Sequence, residues 1–332
     1  MTTDQLEPPA AASAVTRRTP GEEFAWAVAG AQGGADVEVP FQVPLPAAFP
    51  LFATRPRYAV RHLLKTAAVP DHPVPYVHEP PAPPGSGTFT SGTSATSATT
   101  GTSGSTSGAR PVSGTSYATS PEAAFRADVL SAELTDLRAS VPVPKGLLDE
   151  PALLAAFVDH RVLVRLSTVE NEALLHGTAD GAIIGLLRLP DLRRVSYDGS
   201  FATDPAGALT AAAAEVEETG GSCDGIVAHP VLYWRLVRDG ALSRLAQAGI
   251  RVSRTRMIAR DQVLLGDFRA AVTLLDPGVS LLALRRGGGA DAGPDGGDRI
   301  EATARAGLAV HLPQHFVLLS PAGREPGEGG AP

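Results

Sequence analysis

Residues 147–177 read LLDEPALLAAFVDHRVLVRLSTVENEALLHG, and after Pro151 neither Gly nor Pro interrupts them until Gly177. Leu154, Val158, Val162, Leu166, Val169 and Ala173 recur at steps of three or four, so they share one face of a helix. Leu153, Phe157, Val164 and Leu175 widen that face, while Asp159, Arg161, Arg165, Glu170 and Glu172 fall mostly elsewhere. Asp149 or Glu150 suits the cap, Pro151 the first helical position and Gly177 the left-handed residue after the last turn. The spacing predicts a single spine helix over 150–176, roughly 25 residues and about 37 Å long. A long helix with a wide apolar face normally backs a sheet, so strands are expected on either side of it.

Ahead of the helix the text is irregular. Residues 1–22 are rich in Ala, Pro and Thr without a period and read as a disordered tail, or an arm that orders on assembly. VEVPFQVPLPAAFPLF, 37–52, alternates apolar residues with prolines, which suits an extended segment but not a central strand. RYAVRHLLKTAA, 57–68, and PDHPVPYVHE, 70–79, read as extended chain broken by turns, with Val74, Tyr76 and Val77 in strand context. A Gly/Ser/Thr tract over 85–119 has almost nothing to bury and reads as a flexible loop tip. The chain returns through FRADVLSAELTDL, 125–137, whose alternation predicts a strand. Tract and flanks together read as a long hairpin-like excursion.

Behind the helix come AIIGLLRL, a polar loop, a helix over 204–219 opened by Pro205, the buried strand GIVAHP, and two short helices, VLYWRLVRDG and ALSRLAQAG. The last third is a series of short β-rich segments, MIAR, DQVLLGDF, AAVTLLD, VSLLALRR, DRIEATARAGLAVHL and HFVLLS, with the glycine-rich RGGGADAGPDGGD between two of them. The fold class is α+β.

The 332 residues carry a net charge of -7 with 43% hydrophobic content, enough to bury a core and without a basic excess that would favour nucleic acid. The single cysteine, Cys223, excludes an internal disulfide framework. No basic-then-apolar leader opens the chain and no apolar run is long enough to cross a bilayer, so a soluble, cytoplasmic protein is expected. There is no phosphate loop, no HExxH, no CxxC and no nucleophile elbow. His160 and His176 lack accompanying carboxylates, the proline between His311 and His315 spoils a helical metal pair, and Glu215, Glu217 and Glu218 read as a solvated acidic face. The residues thus point to no catalytic, cofactor or metal site, and to a protein that is not an enzyme.

Several texts, in this order, resemble the shell proteins of encapsulin nanocompartments and the related tailed-phage major capsid proteins of the Hong Kong 97-type fold. They are VPYVHE, then VPVPKGLLDEPALLAAFVDHRVLVRLSTVENEALLHG, AIIGLL, IVAHPVLYWRLVRDG, VLLGDFRAAVTLLD and RAGLAVHLPQHFVLL, spanning about residues 37–320. The resemblance implies a disordered tail and N-terminal arm over 1–52, an extended loop over 53–137 and a peripheral domain over 138–185 and 268–320. It further implies an axial domain over 186–267 and a disordered tail over 321–332. The spine helix would pack through Leu154, Val158, Val162, Leu166 and Val169. The loop LRRVSYDGSFATD would line a pore near a five-fold axis, with Arg193, Arg194 and Asp198 setting what passes.

By that resemblance the function is a structural subunit that self-assembles into an icosahedral nanocompartment around a cargo enzyme, with pores for small molecules. The branch associated with natural-product biosynthesis is among those implied, and the residues name no cargo. The alternatives are a phage or prophage capsid protein packaging DNA and, lower, an enzyme of unrecognised class. The short proline-rich text ahead of the capsid-like region and the acidic balance favour the compartment, with a second copy and a cargo enzyme as partners and no membrane or nucleic acid.

Overall fold

The computed structural model describes residues 18–31, 35–42, 60–80, 127–190, 192–197, 204–287 and 297–321. In chain order they form α1 (Pro20–Gly30), β1 (Val37–Pro40), β2 (Lys65–Ala68), β3 (Val74–His78), β4 (Asp128–Ala132) and β5 (Thr135–Pro142). Next come α2 (Pro151–Phe157), a π-helical segment (Val158–Val162), α3 (Leu163–His176), β6 (Arg193–Tyr197), α4 (Pro205–Glu217) and β7 (Gly225–Ala228). The remainder comprises α5 (Pro230–Arg238), α6 (Ala241–Gln247), β8 (Arg251–Arg254), β9 (Val263–Gly266), α7 (Phe268–Ala271), β10 (Val272–Asp276), β11 (Ser280–Arg285), β12 (Arg299–Val310) and β13 (Phe316–Pro321). The chain divides into two compact units, one from 1–44, 136–169 and 278–304, the other from 45–135, 170–277 and 305–332.

The first unit begins with a helix in text that has no apolar period. α1 is fixed at its start by a capping box: the Glu22 amide donates to the Thr19 hydroxyl at 3.1 Å and the Thr19 amide to the Glu22 carboxylate at 2.8 Å. It buries Phe24, Ala25 and Val28 and packs on α2 so closely that a Cβ at Gly21 would overlap the Ala155 carbonyl oxygen. The Gly21 amide donates to Asp159 Oδ1 at 2.9 Å, which is why that carboxylate lies inside and not among solvated charges as its spacing predicts. Burial raises its pKa, opposed by the Thr19 and Gly21 hydrogen bonds. In the same unit β1, β11 and the first half of β12 form an antiparallel ladder, and β5 also pairs with β12.

The expected spine helix runs unbroken from Pro151 to His176, one residue short of its expected start, and Gly177 comes next at φ 81°. Its interior differs from a straight α-helix. The π turn over Val158–Val162 takes an extra residue and rotates the phase of α3 relative to α2. Leu154, Val158, Val162 and Leu166 are fully buried as the period predicts, Val169 is half-buried, and Leu153, placed on the apolar face by its spacing, is 60% exposed. No side chain caps the start: neither Asp149 nor Glu150 plays that part, and Glu150 is the cap residue through its backbone alone.

The second unit holds a five-stranded sheet in the order β6-β13-β9-β7-β8. Alternate residues of its strands, Ile226, Ala228, Val263, Leu265, Val317 and Leu319, share one face with Leu209, Ala212 and Val216 of α4 and Leu232 and Leu236 of α5. α4 covers β13 and β9, whereas α5 and α6 cover β8. Asp204 caps α4 by accepting from the Gly207 amide at 2.9 Å, and Pro205 opens the helix as expected. In this unit β10 pairs antiparallel with the end of β12 and parallel with β2, so Lys65–Ala68 is a sheet strand and not only broken extended chain. MIAR, one of the stretches expected to be β-rich, forms a turn.

Candidate assembly surfaces

Two outward surfaces in the second unit carry apolar side chains that the other described residues leave uncovered. The first is the hairpin of β3 and β4, antiparallel with Tyr76 opposite Leu130 and Val77 opposite Val129. Its inner face sets Val74, Tyr76 and Ala132 against Leu134, Leu275 and Ala309. On its outer face Val77 and Val129, directly paired, are 56% and 75% exposed. The 125–137 stretch, expected as one strand, divides between β4 and the start of β5.

Histidines clamp the base of this hairpin to the end of β12. His311 Nδ1 lies 2.8 Å from the Val77 carbonyl oxygen and Nε2 3.1 Å from the Thr273 hydroxyl, so the carbonyl fixes the proton on Nδ1. Its ring meets Tyr76 edge-on at 5.5 Å, and the Glu79 amide donates to the His311 carbonyl at 2.8 Å. His78 Nδ1 sits 2.8 Å from the Val310 carbonyl oxygen. Further back Arg61, in the turn before β2, donates to Glu170 of α3 and Asp276 of β10 at 2.9 and 3.0 Å. The two carboxylates hold the guanidinium above its ordinary pKa despite burial. The Val60 amide donates to Asn171 Oδ1 at 3.0 Å. Glu170, placed off the apolar face by its spacing, is therefore buried as one half of an ion pair.

The second surface is the outer face of α5, where Val231, Trp234 and Val237 stand clear of the core. Cys223 is buried and its thiol is pushed up to about 12 by desolvation, which leaves it unreactive. Among the described residues no three His, Cys, Asp or Glu side chains group as metal ligands. His176 instead places Nε2 2.6 Å from the Met257 carbonyl oxygen. No described helix is long and apolar enough to cross a membrane.

No family model and no curated protein matches this sequence. Solved structures do. The chain is similar to a structure from Microbacterium phage Oxtober96 with a TM-score of 0.51 at 16% identity, covering 79% of this chain and 90% of that one. A structure from Mycobacterium phage Adephagia gives 0.51 at 12% identity, over 81% and 91% of the two chains. The chain has the Hong Kong 97-type capsid fold. A virus-like particle from Pyrococcus furiosus is also similar, with a TM-score of 0.47 at 12% identity over 78% and 90% of the two chains.

Within this Hong Kong 97-type chain the residues expected to line a pore do not share a loop. Arg193 and Arg194 lie on β6, parallel to β13, and Asp198 falls outside the described residues. Arg193 donates to the carboxylate and to the carbonyl oxygen of Glu215 on α4, which ties that strand edge to the helix above it. Glu215 is thus half-buried and paired, unlike the solvated carboxylate its neighbours suggest. The Gly/Ser/Thr tract over 85–119 and most of RGGGADAGPDGGD also fall outside the described residues. Sequence reasoning missed α1, although T-x-x-E at Thr19 and Glu22 is a readable capping signal. It also missed the outward apolar stripe of α5, because period alone does not say which side of a short helix faces the core.

Proposed function

We propose that this chain is a structural, non-enzymatic shell subunit that self-assembles into a closed icosahedral compartment around a cargo protein, with small molecules passing through pores. The observation that carries the reading is the β3–β4 hairpin. A two-stranded ribbon is marginal alone, and this one presents a directly opposed valine pair to solvent on its outer face. Both strands have an open edge among the described residues, a template for pairing with another chain. A neighbouring copy that covers the valines and completes the ribbon makes a heterologous contact, and such contacts close around symmetry axes into shells. The fold supports this reading, and the acidic sequence favours protein cargo over packaged nucleic acid. Arg193, Arg194 and Asp198 remain the proposed pore-lining residues, with Arg194 the exposed one of the two on β6.

A second reading, a phage or prophage capsid protein that packages DNA, is favoured by one observation: the similar structures at a TM-score of 0.51 come from phages. Sedimentation velocity of the purified chain, then nuclease digestion and extraction of protected nucleic acid, separates the two. Large particles without protected nucleic acid support the compartment, and particles with long protected DNA support the capsid. A monomer or dimer at micromolar concentration sinks both.

A further inference from the structure

Between His229 and Arg260 the chain has seven arginines, no lysine and one acidic residue, Asp239, within a sequence of net charge -7. Asp239 is already spent on its neighbour Arg238, at 2.8 Å. The fold gathers three of the other arginines at one end of the five-stranded sheet. β7 and β8 pair in parallel with Ala228 opposite Arg254, and the Thr255 amide donates to the Ala228 carbonyl at 3.0 Å. The chain that leaves β8 therefore runs beside His229, where the chain leaves β7 for α5.

This loop is held in place. The Met257 amide donates to the Thr255 hydroxyl at 3.2 Å, and the Gln262 amide to the Ala259 carbonyl at 3.1 Å. The Tyr197 hydroxyl, at the end of β6, donates to the Asp261 carbonyl at 2.9 Å. Arg256 and Arg260 stand exposed on the loop, and among the described residues neither forms an ion pair. Both guanidiniums act on His229, whose pKa is lowered by burial first and then by Arg260 and Arg256. His229 Nδ1 accepts from the Val231 amide at 3.2 Å, which keeps the proton of the neutral ring on Nε2.

The third guanidinium is fixed by aromatic rings. Arg254 lies 4.5 Å from the Tyr233 ring centre and 5.1 Å from that of Trp234, and the two rings meet edge-on at 5.6 Å. Trp234 is 58% exposed, with Val231 exposed one turn before it and Val237 one turn after it. Like charges gathered on an ordered surface repel one another, and an anionic partner relieves that repulsion while finding its donors already placed. The aliphatic surface beside the indole decides the class of anion: the apolar side chains of a peptide can cover it, whereas a phosphodiester backbone cannot. We infer that the loop after β8, with the outer face of α5, is a docking surface for an acidic peptide segment of another protein. Its carboxylates meet Arg254, Arg256 and Arg260, and its apolar side chains lie on Trp234 and Val231. The surface lies beyond the shell reading, and its test does not require assembly.

The test is fluorescence anisotropy of a fluorescein-labelled peptide of glutamates interspersed with leucines, titrated with the purified full chain. The peptide is expected to bind, and its affinity to fall several-fold as salt is raised. The same peptide with glutamine in place of glutamate is expected to bind several-fold more weakly. Arg256→Gln combined with Arg260→Gln is expected to weaken binding several-fold, and Trp234→Ser likewise. Arg138→Gln, which removes an exposed arginine of the other compact unit, is expected to leave binding unchanged. Equal binding of the two peptides, arginine variants that bind like the wild type, or an Arg138→Gln loss as large as theirs each overturn the surface. A single-stranded oligonucleotide that binds more tightly than the acidic peptide overturns the choice of partner. A chain that binds the peptide but forms no particle keeps this surface and loses the shell reading.

Discussion

Arg61 Nε donates to Glu170 Oε1 at 2.9 Å with both side chains 2% exposed, joining residues 109 apart in sequence. A second nitrogen of the same guanidinium reaches Asp276, so one buried cation ties the turn before β2 to the spine helix and to β10. Such a group is costly to desolvate and is tolerated because all its charge is met. Arg61→Met is expected to destabilise the fold by about 3–5 kcal/mol, since it strands the Glu170 carboxylate without a partner. Adding Glu170→Met in the same chain is expected to recover most of the loss, because Asp276 keeps access to water. Chemical denaturation of the wild type and both variants checks this; equal losses for the single and double variants contradict it.

Gly21 sits where α1 crosses α2, and a methyl group there meets backbone, which cannot swing aside. Gly21→Ala is expected to cost roughly 1–3 kcal/mol by overpacking. Hydrogen exchange over residues 20–30 is expected to rise in that variant while exchange over β9 and β13 stays at the wild-type level. Unchanged protection of α1 is the contrary result.

Stability is expected to fall as the solution is acidified below the ordinary histidine range. Burial lowers the pKa of His315, with Asp267 partly opposing it. Burial likewise lowers His62, reinforced by Arg61 and Arg251, and His229, reinforced by Arg260 and Arg256. These imidazoles take up a proton in the unfolded chain near pH ~6.5 but resist it when folded. Their stabilisation is therefore complete above that pH and is lost as pH drops through the folded values. Burial raises the pKa of Asp159 and Asp224, which gives them the opposite sign: their contribution is present at low pH and is lost as pH rises through their folded values. Thermal unfolding between pH 8 and pH 5 checks the slope, and His315→Asn is expected to flatten it. A melting temperature that rises on acidification contradicts the assignment.

Val129→Asp changes a side chain that is 75% exposed in the single chain, so its effect on subunit stability is expected to stay within about 0.5 kcal/mol. Its effect on assembly is expected to be large, because a charge would enter an apolar contact. Circular dichroism and sedimentation on the same sample separate the two. A variant that folds and assembles with wild-type yield contradicts the role given to the hairpin.

The spine helix was legible because its apolar period runs from Leu154 to Ala173 and its ends carry Pro151 and Gly177. Its π turn was not, since hydrogen bonds five residues apart require no particular residue types. Buried charge was also hidden: Asp159 and Glu170 resemble surface residues until partners distant in sequence, the Gly21 amide and Arg61, are brought beside them. In α4 and α5 the opening prolines and inner leucines follow the sequence, whereas Trp234 faces outward against its hydrophobicity.

Electron microscopy of the protein expressed alone, with absorbance at 260 and 280 nm on the same fraction, tests the central claim most directly. Uniform closed particles with a protein-like absorbance ratio are the expected result. A small soluble species, or particles filled with nucleic acid, would contradict a protein-loaded compartment.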